Sequence, residues 1–187
     1  MTLFGNKYRT ETTRLRTWNY ASAGYYFVTI CTRNRECFLG EIRDGVVHLS
    51  CQGEIAAEEW KKTEIIRDKV RLDAWVIMPN HMHGIVVIEE NADHNVETPR
   101  RGVSTDNERG VSTNGGLAAG SLGAIIGQFK SVCTKRIRAA GYDFGWQARY
   151  YEHIIRNDRS LREIRDYICN NPVKWELDKN NPVNMGG

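Results

Sequence analysis

The sequence predicts an α+β fold built on an antiparallel sheet. Segments rich in β-branched and aromatic residues outnumber the helical segments, and two of them are separated by only two residues. The helices are too few to cross over between parallel strands, which need long connections. The 187 residues suit one domain, residues 1–187, and the 41% hydrophobic and 26% charged residues are typical of a globular protein.

The strands are predicted from residue type and from turn signals. Residues 25–32 combine aromatic and β-branched side chains, which suit a central strand. Residues 71–78 and 81–89 form two further β-rich runs, and the Pro-Asn dipeptide between them predicts a hairpin. Shorter strands are predicted at residues 45–49 and 149–156.

Three helices are predicted, the first over residues 51–68, which contain helix formers and no proline. Ser121 can cap the second, whose apolar face consists of Leu122, Ile125, Ile126, Phe129, Val132, Cys133 and Ile137. The sequence SLRE at residues 160–163 fits a capping box that opens a third helix, and Pro172 should end it. The resulting order is the βαββαβ plan of ferredoxin-like folds, with helices packed on one face and a C-terminal helix that bears Tyr167.

Two segments are predicted to lie outside this core. Residues 1–22 form a basic N-terminal arm. Residues 90–119 are rich in Asn, Gly, Ser, Thr and charge, and they contain the sequence RGVST twice. Their low hydrophobicity predicts a mobile insertion loop.

Composition excludes several classes of protein. No apolar run approaches the roughly 20 residues that cross a bilayer, and the N-terminus has no apolar signal segment, so we expect a cytoplasmic protein without a membrane partner. The cysteines are odd in number and form no C-x-x-C pair, which predicts reduced, buried thiols rather than disulfides or a thiolate zinc site.

His81 and His83 open the second strand of the predicted hairpin. Because side chains alternate along a strand, both imidazoles should project from one face while Met82 points to the other. Two nitrogen ligands on a rigid strand are half of a metal site, although such a pair, taken alone, more often hydrogen-bonds on a polar surface.

Tyr167 and Asn171 lie four residues apart on the last predicted helix, so both should face the sheet. Taken alone they fit a core tyrosine and a helix-capping asparagine. Together with the histidines they would complete a reactive centre, since Asn171 could supply a third, neutral metal ligand one turn from the phenol. A divalent cation held by uncharged ligands keeps its charge and can polarise a phosphodiester, which favours Mg2+ or Mn2+ over a four-ligand structural zinc.

Basic residues are clustered although the net charge is only +3. Arg14 and Arg16 belong to the N-terminal arm, and Lys130, Lys135 and Arg138 to the second helix. We predict that they contact DNA phosphates; a solvated helix face is the alternative.

These residues lie in motifs that resemble those of the HUH-type single-tyrosine transposases, and among them the REP-associated tyrosine transposases of bacteria. The resemblance extends from residue 25 to residue 181. It is carried by YFVTICT (26–32), WVIMPNHMHG (75–84), WQ (146–147) leading into YEHIIRN (151–157), and YICNNP (167–172).

The resemblance implies that His81 and His83 bind the metal, that Tyr167 is the nucleophile and that Asn171, where mobile-element relatives often have glutamine, is the third ligand. It implies a single-stranded DNA substrate with imperfect hairpins, cut to leave a 5′-phosphotyrosine and a free 3′-hydroxyl, and action as a monomer or a homodimer. Two alternatives remain open. One is a domesticated, non-catalytic protein that binds structured single strands, and the other is a phosphohydrolase that uses water.

Overall fold

The structure is a computed structural model that describes residues 3–4, 8–9, 18–90, 120–178 and 181–185. Most of the predicted basic arm, with Arg14 and Arg16, lies outside these residues. Of the predicted insertion at 90–119, only the first residue is described.

Eight strands are described. In chain order they are β1 (Leu3–Phe4), β2 (Tyr8–Arg9), β3 (Gly24–Cys31), β4 (Gly40–Arg43), β5 (Val46–Leu49), β6 (Val70–Met78), β7 (His81–Ile88) and β8 (Tyr151–Ile155). The central sheet has the order β6–β7–β3–β8 with every neighbour antiparallel, and β1–β2 and β4–β5 form two separate pairs. This sheet confirms the predicted α+β class and its ferredoxin-like strand order.

The part of the chain that the structure describes has three α-helices, which are α1 (Cys51–Ile65), α2 (Leu122–Ala139) and α3 (Asp158–Asn170). Ser121 caps α2 as predicted. The predicted capping box is wrong, because the side chain of Asn157 accepts a hydrogen bond of 2.8 Å from the Ser160 amide and α3 therefore begins at Asp158. None of the described helices is both long and apolar enough to cross a membrane.

The helices pack on both faces of the central sheet. Helices α1 and α2 cover one face and enclose the main core with alternate residues of β3 and β7. Helix α3 covers the other face, where Leu161 and Ile168 pack against Phe27, Ile85 and Ile155. The tyrosine-bearing helix is thus opposite the other two.

Of the β4–β5 hairpin, the sequence predicts only the second strand, β5. Asp44 and Gly45 form its turn, with φ angles of 50° and 73°. An Asp-Gly pair favours this left-handed turn, and it is the signal from which β4 could have been predicted.

All five cysteines are free, as predicted. The expectation that they are buried is wrong for most of them, since Cys37, Cys51 and Cys169 are exposed and only Cys133 is buried. Cys37 lies in a loop, Cys51 is the first residue of α1, and Cys169 lies on the surface of α3 near its end, which explains the difference.

Candidate active site

The two histidines stand at the start of β7, directly after the turn from β6. In the antiparallel register His81 lies opposite Cys31, and His83 lies opposite Thr29. Both imidazoles face α3, whereas Met82 is fully buried in the core under α1 and α2. The prediction that the imidazoles share one face is confirmed, and their Nε2 atoms are 3.0 Å apart.

Each imidazole is oriented through its Nδ1 atom. Nδ1 of His81 lies 2.9 Å from Oδ1 of Asn80, and Nδ1 of His83 lies 2.9 Å from Oγ1 of Thr29. With the ring proton assigned to Nδ1 in both rings, the two Nε2 lone pairs point toward one position, where a cation would relieve their repulsion. Burial, helped by the positive charge of Arg35, lowers the pKa of His81 to about 3, so this ring is neutral at pH 7.

Tyr167 lies on α3 with its phenol over the histidine pair. The hydroxyl is 3.1 Å from Nε2 of His83, and the ring packs edge-on against Phe27. The side chain is 42% exposed, so a phosphodiester can reach it from solvent. Burial and the charge of Asp178 raise the pKa of the phenol, while a hydrogen bond with Asn171 lowers it, and the net shift is upward. The phenol must therefore lose its proton to an acceptor before it can attack phosphorus.

Asn171 follows the last residue of α3 and is buried, one turn beyond Tyr167. Its Oδ1 atom is buried without a hydrogen-bond partner among the described residues. An unpaired buried carbonyl oxygen is costly, and coordination of a cation would satisfy it.

Asp178 is a site residue that the sequence reasoning missed. The carboxylate and the two imidazoles offer ligand atoms that all lie within 4.8 Å of one another. The chain turns after α3, and a short 3-10 helix, Trp175–Leu177, returns Asp178 to the histidines. Nothing local in the sequence marks this residue, because its position depends on that turn.

This donor set fits a divalent cation. Manganese accepts two imidazole nitrogens, an amide oxygen and a carboxylate as ligands, and magnesium accepts the oxygen donors. The carboxylate would lower the net charge at the centre relative to the uncharged set expected from the sequence.

A cleft of about 450 Å³ opens beside Tyr167 and His83. Arg35, Arg149 and Tyr151 contribute to its walls. Arg35 and Arg149 were not predicted as site residues.

The predicted basic residues of α2 lie elsewhere, along a groove of about 650 Å³ between this helix and residues 145–148. Lys130 donates hydrogen bonds to the carbonyl oxygens of Gln147 and Ala148, at 2.5 and 3.1 Å, and burial lowers its pKa. Arg138 donates to the carbonyl oxygen of Phe144, and Lys135 is exposed. Lys130 and Arg138 therefore also attach the segment before β8 to α2.

The chain resembles known proteins in sequence and in fold. No protein-family model matches it. It is 38% identical over 168 residues to an uncharacterized protein of Haemophilus influenzae, covering 89% of each chain. It is 26% identical over 156 residues to the REP-associated tyrosine transposase of Escherichia coli, covering 83% of this chain and 70% of that one.

A solved structure of a REP-associated tyrosine transposase bound to a REP hairpin has the same fold, with a TM-score of 0.58 and 26% identity over 90% of this chain and 77% of that one. The fold is therefore that of a transposase. More particularly, sequence and structure both relate the chain to the REP-associated tyrosine transposases, and this relationship supports a transposase function.

Proposed function

We propose that this protein is a metal-dependent single-strand DNA endonuclease and strand-transferase whose nucleophile is the phenol of Tyr167. One observation carries the proposal: the phenol oxygen lies 3.1 Å from Nε2 of His83, which lies 3.0 Å from Nε2 of His81. A phosphodiester that reaches the phenol would therefore also lie beside the imidazole nitrogens.

His81, His83 and Asn171 are the proposed ligands of Mg2+ or Mn2+, and Asp178 is a further candidate. When bound, the ion would draw electron density from a phosphodiester oxygen and make the phosphorus more open to attack. The ring contacts of Asn80 and Thr29 would hold the two imidazoles in the orientation that presents Nε2.

In the proposed reaction the Tyr167 oxygen forms a bond to phosphorus, and the bond from phosphorus to the 3′ oxygen breaks. The 3′ oxygen leaves with the electron pair of that bond and takes up a proton from water, so the products are a 5′-phosphotyrosine and a strand ending in a 3′-hydroxyl. The reverse attack by a 3′-hydroxyl rejoins the DNA. A nitrogen that binds an ion cannot also take a proton, so the acceptor of the phenol proton must be a group other than His83. The charge of Asp178 acts on the phenol, which makes this carboxylate the candidate acceptor if it is not a ligand.

The proposed substrate is single-stranded DNA that contains an imperfect hairpin. The REP hairpin bound to the solved relative supports this choice. We propose further that Lys130, Lys135 and Arg138, with Arg14 and Arg16 of the arm, contact its backbone phosphates away from the reacting centre.

Covalent trapping tests the nucleophile. Hairpin-bearing single strands labelled on the 3′ side should give a labelled protein adduct in the presence of Mg2+ or Mn2+. Tyr167→Phe should abolish the adduct. Tyr151→Phe, at an exposed tyrosine of the same cleft, is the matched control and should retain it.

The other outcomes separate the alternatives. An adduct that persists in Tyr167→Phe would refute the assignment of the nucleophile. If the DNA is cut but neither the wild type nor any variant forms an adduct, the reaction is hydrolysis by water. Tight binding of the DNA without cleavage would indicate a binding protein.

A further inference from the structure

The cleft beside Tyr167 contains two cations, Arg35 and Arg149, and no carboxylate among the residues that line it. Aromatic side chains form much of its remaining wall, and Tyr151 is half exposed. Single-stranded nucleic acid is bound by this combination, because phosphates pair with the cations and bases stack on the rings.

Arg35 is held on an unusual turn. Asn34 and Arg35 have φ angles of 53° and 58°, in the left-handed region that residues other than glycine rarely adopt. Two such residues in succession persist only where the surrounding contacts impose the conformation, which is a common feature of functional sites.

The contacts that impose it come from two fully buried residues, Thr32 and Asn80. The Thr32 hydroxyl lies 2.7 Å from the carbonyl oxygen of Glu36 and 2.9 Å from that of Asn80. The side-chain Nδ2 of Asn80 donates to the carbonyl oxygen of Arg35 at 3.0 Å. Since Oδ1 of the same amide contacts His81, one buried side chain fixes both the turn and a proposed metal ligand.

The geometry points to Arg35 as the residue that binds the DNA phosphate attacked by Tyr167, with Arg149 on a neighbouring phosphate and Tyr151 stacked on the adjacent base. The attack by Tyr167 on this phosphate rests on the proposed function, whereas the binding of single-stranded DNA in this cleft does not. A guanidinium suits the role because its forked donors match two oxygens of one phosphate. Its charge would hold the phosphodiester against the phenol and stabilise the negative charge that develops on the phosphate oxygens.

Arg33 provides a matched control on the same turn. Its guanidinium pairs with Asp143 at 2.6 Å, where both side chains are substantially exposed, and it does not line the cleft. Removing either arginine therefore removes one positive charge from one short segment, but only Arg35 belongs to the cleft.

The test is binding without metal, in EDTA, to a fluorescein-labelled oligothymidylate of about eight nucleotides. Fluorescence anisotropy at several salt concentrations gives the affinity and its salt dependence. Arg35→Ala should weaken binding by about tenfold and reduce the slope of log affinity against log salt by about 0.7. Arg35→Lys should keep the slope and recover part of the affinity. Arg33→Ala should change neither quantity.

Tyr151→Ala separates stacking from charge, since it should weaken binding and leave the salt slope unchanged. An oligothymidylate with uncharged methylphosphonate linkages should bind the wild type and Arg35→Ala equally. Equal losses in Arg35→Ala and Arg33→Ala, or an unaltered slope in Arg35→Ala, would overturn the proposal.

The result is independent of catalysis, because no metal is present and no strand is cut. Binding that depends on Arg35, together with no Tyr167 adduct under any condition, would retain the cleft as a nucleic-acid site and refute the nuclease. An adduct through Tyr167 with no role of Arg35 in binding would retain the nuclease and refute the assignment of Arg35.

Discussion

The two faces of the central sheet differ although the same strands form both. The face under α1 and α2 is closed by an apolar core, whose fully buried members on β3 and β7 are Tyr26, Val28, Ile30, Met82 and Val86. The face under α3 has a smaller apolar cluster and, beside it, three buried polar side chains, His81, His83 and Asn171. Successive residues of β3 and β7 alternate between these environments.

This difference shows how a small domain can hold an unfavourable site. Two imidazole nitrogens that face each other, and an amide oxygen with no hydrogen-bond partner among the described residues, reduce the free energy of unfolding, because both place buried polar atoms in unfavourable surroundings. The apolar face supplies the stability that offsets this cost. We therefore expect substitutions on the apolar face, under α1 and α2, to change stability. Substitutions on the polar face, under α3, should change metal binding and chemistry.

The largest expected effect is on the polar face. His83→Ala or His81→Ala should reduce Mn2+ affinity by at least about a hundredfold and abolish cleavage, because each removes a proposed ligand rather than a group that merely orients one. Melting temperatures without metal should change little. Titration calorimetry checks the affinity, and His153→Ala, an exposed histidine on β8, serves as the control. Unchanged affinity in the double His81→Ala, His83→Ala variant would place the ion elsewhere.

Met82 lies between these histidines and tests the opposite face. Met82→Ala should lower the free energy of unfolding by about 2–5 kcal/mol, because it leaves a cavity in the fully packed core. The Mn2+ affinity of the folded protein should stay within about twofold of wild type. Chemical denaturation and metal titration on the same samples measure both quantities. A loss of affinity as large as that in the histidine variants would show that the two faces are not independent.

A smaller effect is expected at Asp178. Asp178→Asn should weaken Mn2+ binding by about tenfold if the carboxylate is a ligand, and Asn171→Ala should do the same if the amide oxygen is one. Comparing the two titrations identifies the third ligand. If Asp178→Asn leaves the affinity unchanged and slows adduct formation, the carboxylate is instead the acceptor of the phenol proton.

Periodicity made part of this site predictable from the sequence. The two-residue spacing of His81 and His83 placed both on one face, and the four-residue spacing of Tyr167 and Asn171 placed both on the sheet side of a helix. The hairpin turn and the βαββαβ order were also readable, because strand-forming residues and turn residues alternate clearly along the chain.

The rest of the site depends on contacts that periodicity does not encode. Arg35 reaches the cleft only because buried Thr32 and Asn80 impose a left-handed turn in a segment without glycine. Asp178 reaches the histidines only because the chain turns after α3. The start of α3 was misplaced because Asn157, rather than Ser160, supplies the cap.

The smallest expected effect concerns the ion pair that fastens α3 to β6. Arg165 donates two hydrogen bonds to the Asp73 carboxylate, at 2.9 and 2.5 Å, and this interaction holds the pKa of Asp73 below its ordinary value of 3.8. A depressed carboxyl pKa contributes stability that is present above the unfolded-state value and is lost as the pH falls through the folded-state value.

Asp73→Asn should therefore be less stable than wild type at pH 7, and the difference should shrink as the pH falls below about 4. Because the Arg165 side chain is 43% exposed, solvent screens the pair and the difference at pH 7 should be only about 0.2–1 kcal/mol. Urea denaturation at pH 7 and near pH 3 measures it, with Glu163→Gln on the exposed side of α3 as the control. A deficit that is equally large at both pH values would mean that Asp73 acts through packing rather than charge, and that α3 is held on this face of the sheet by its apolar residues alone.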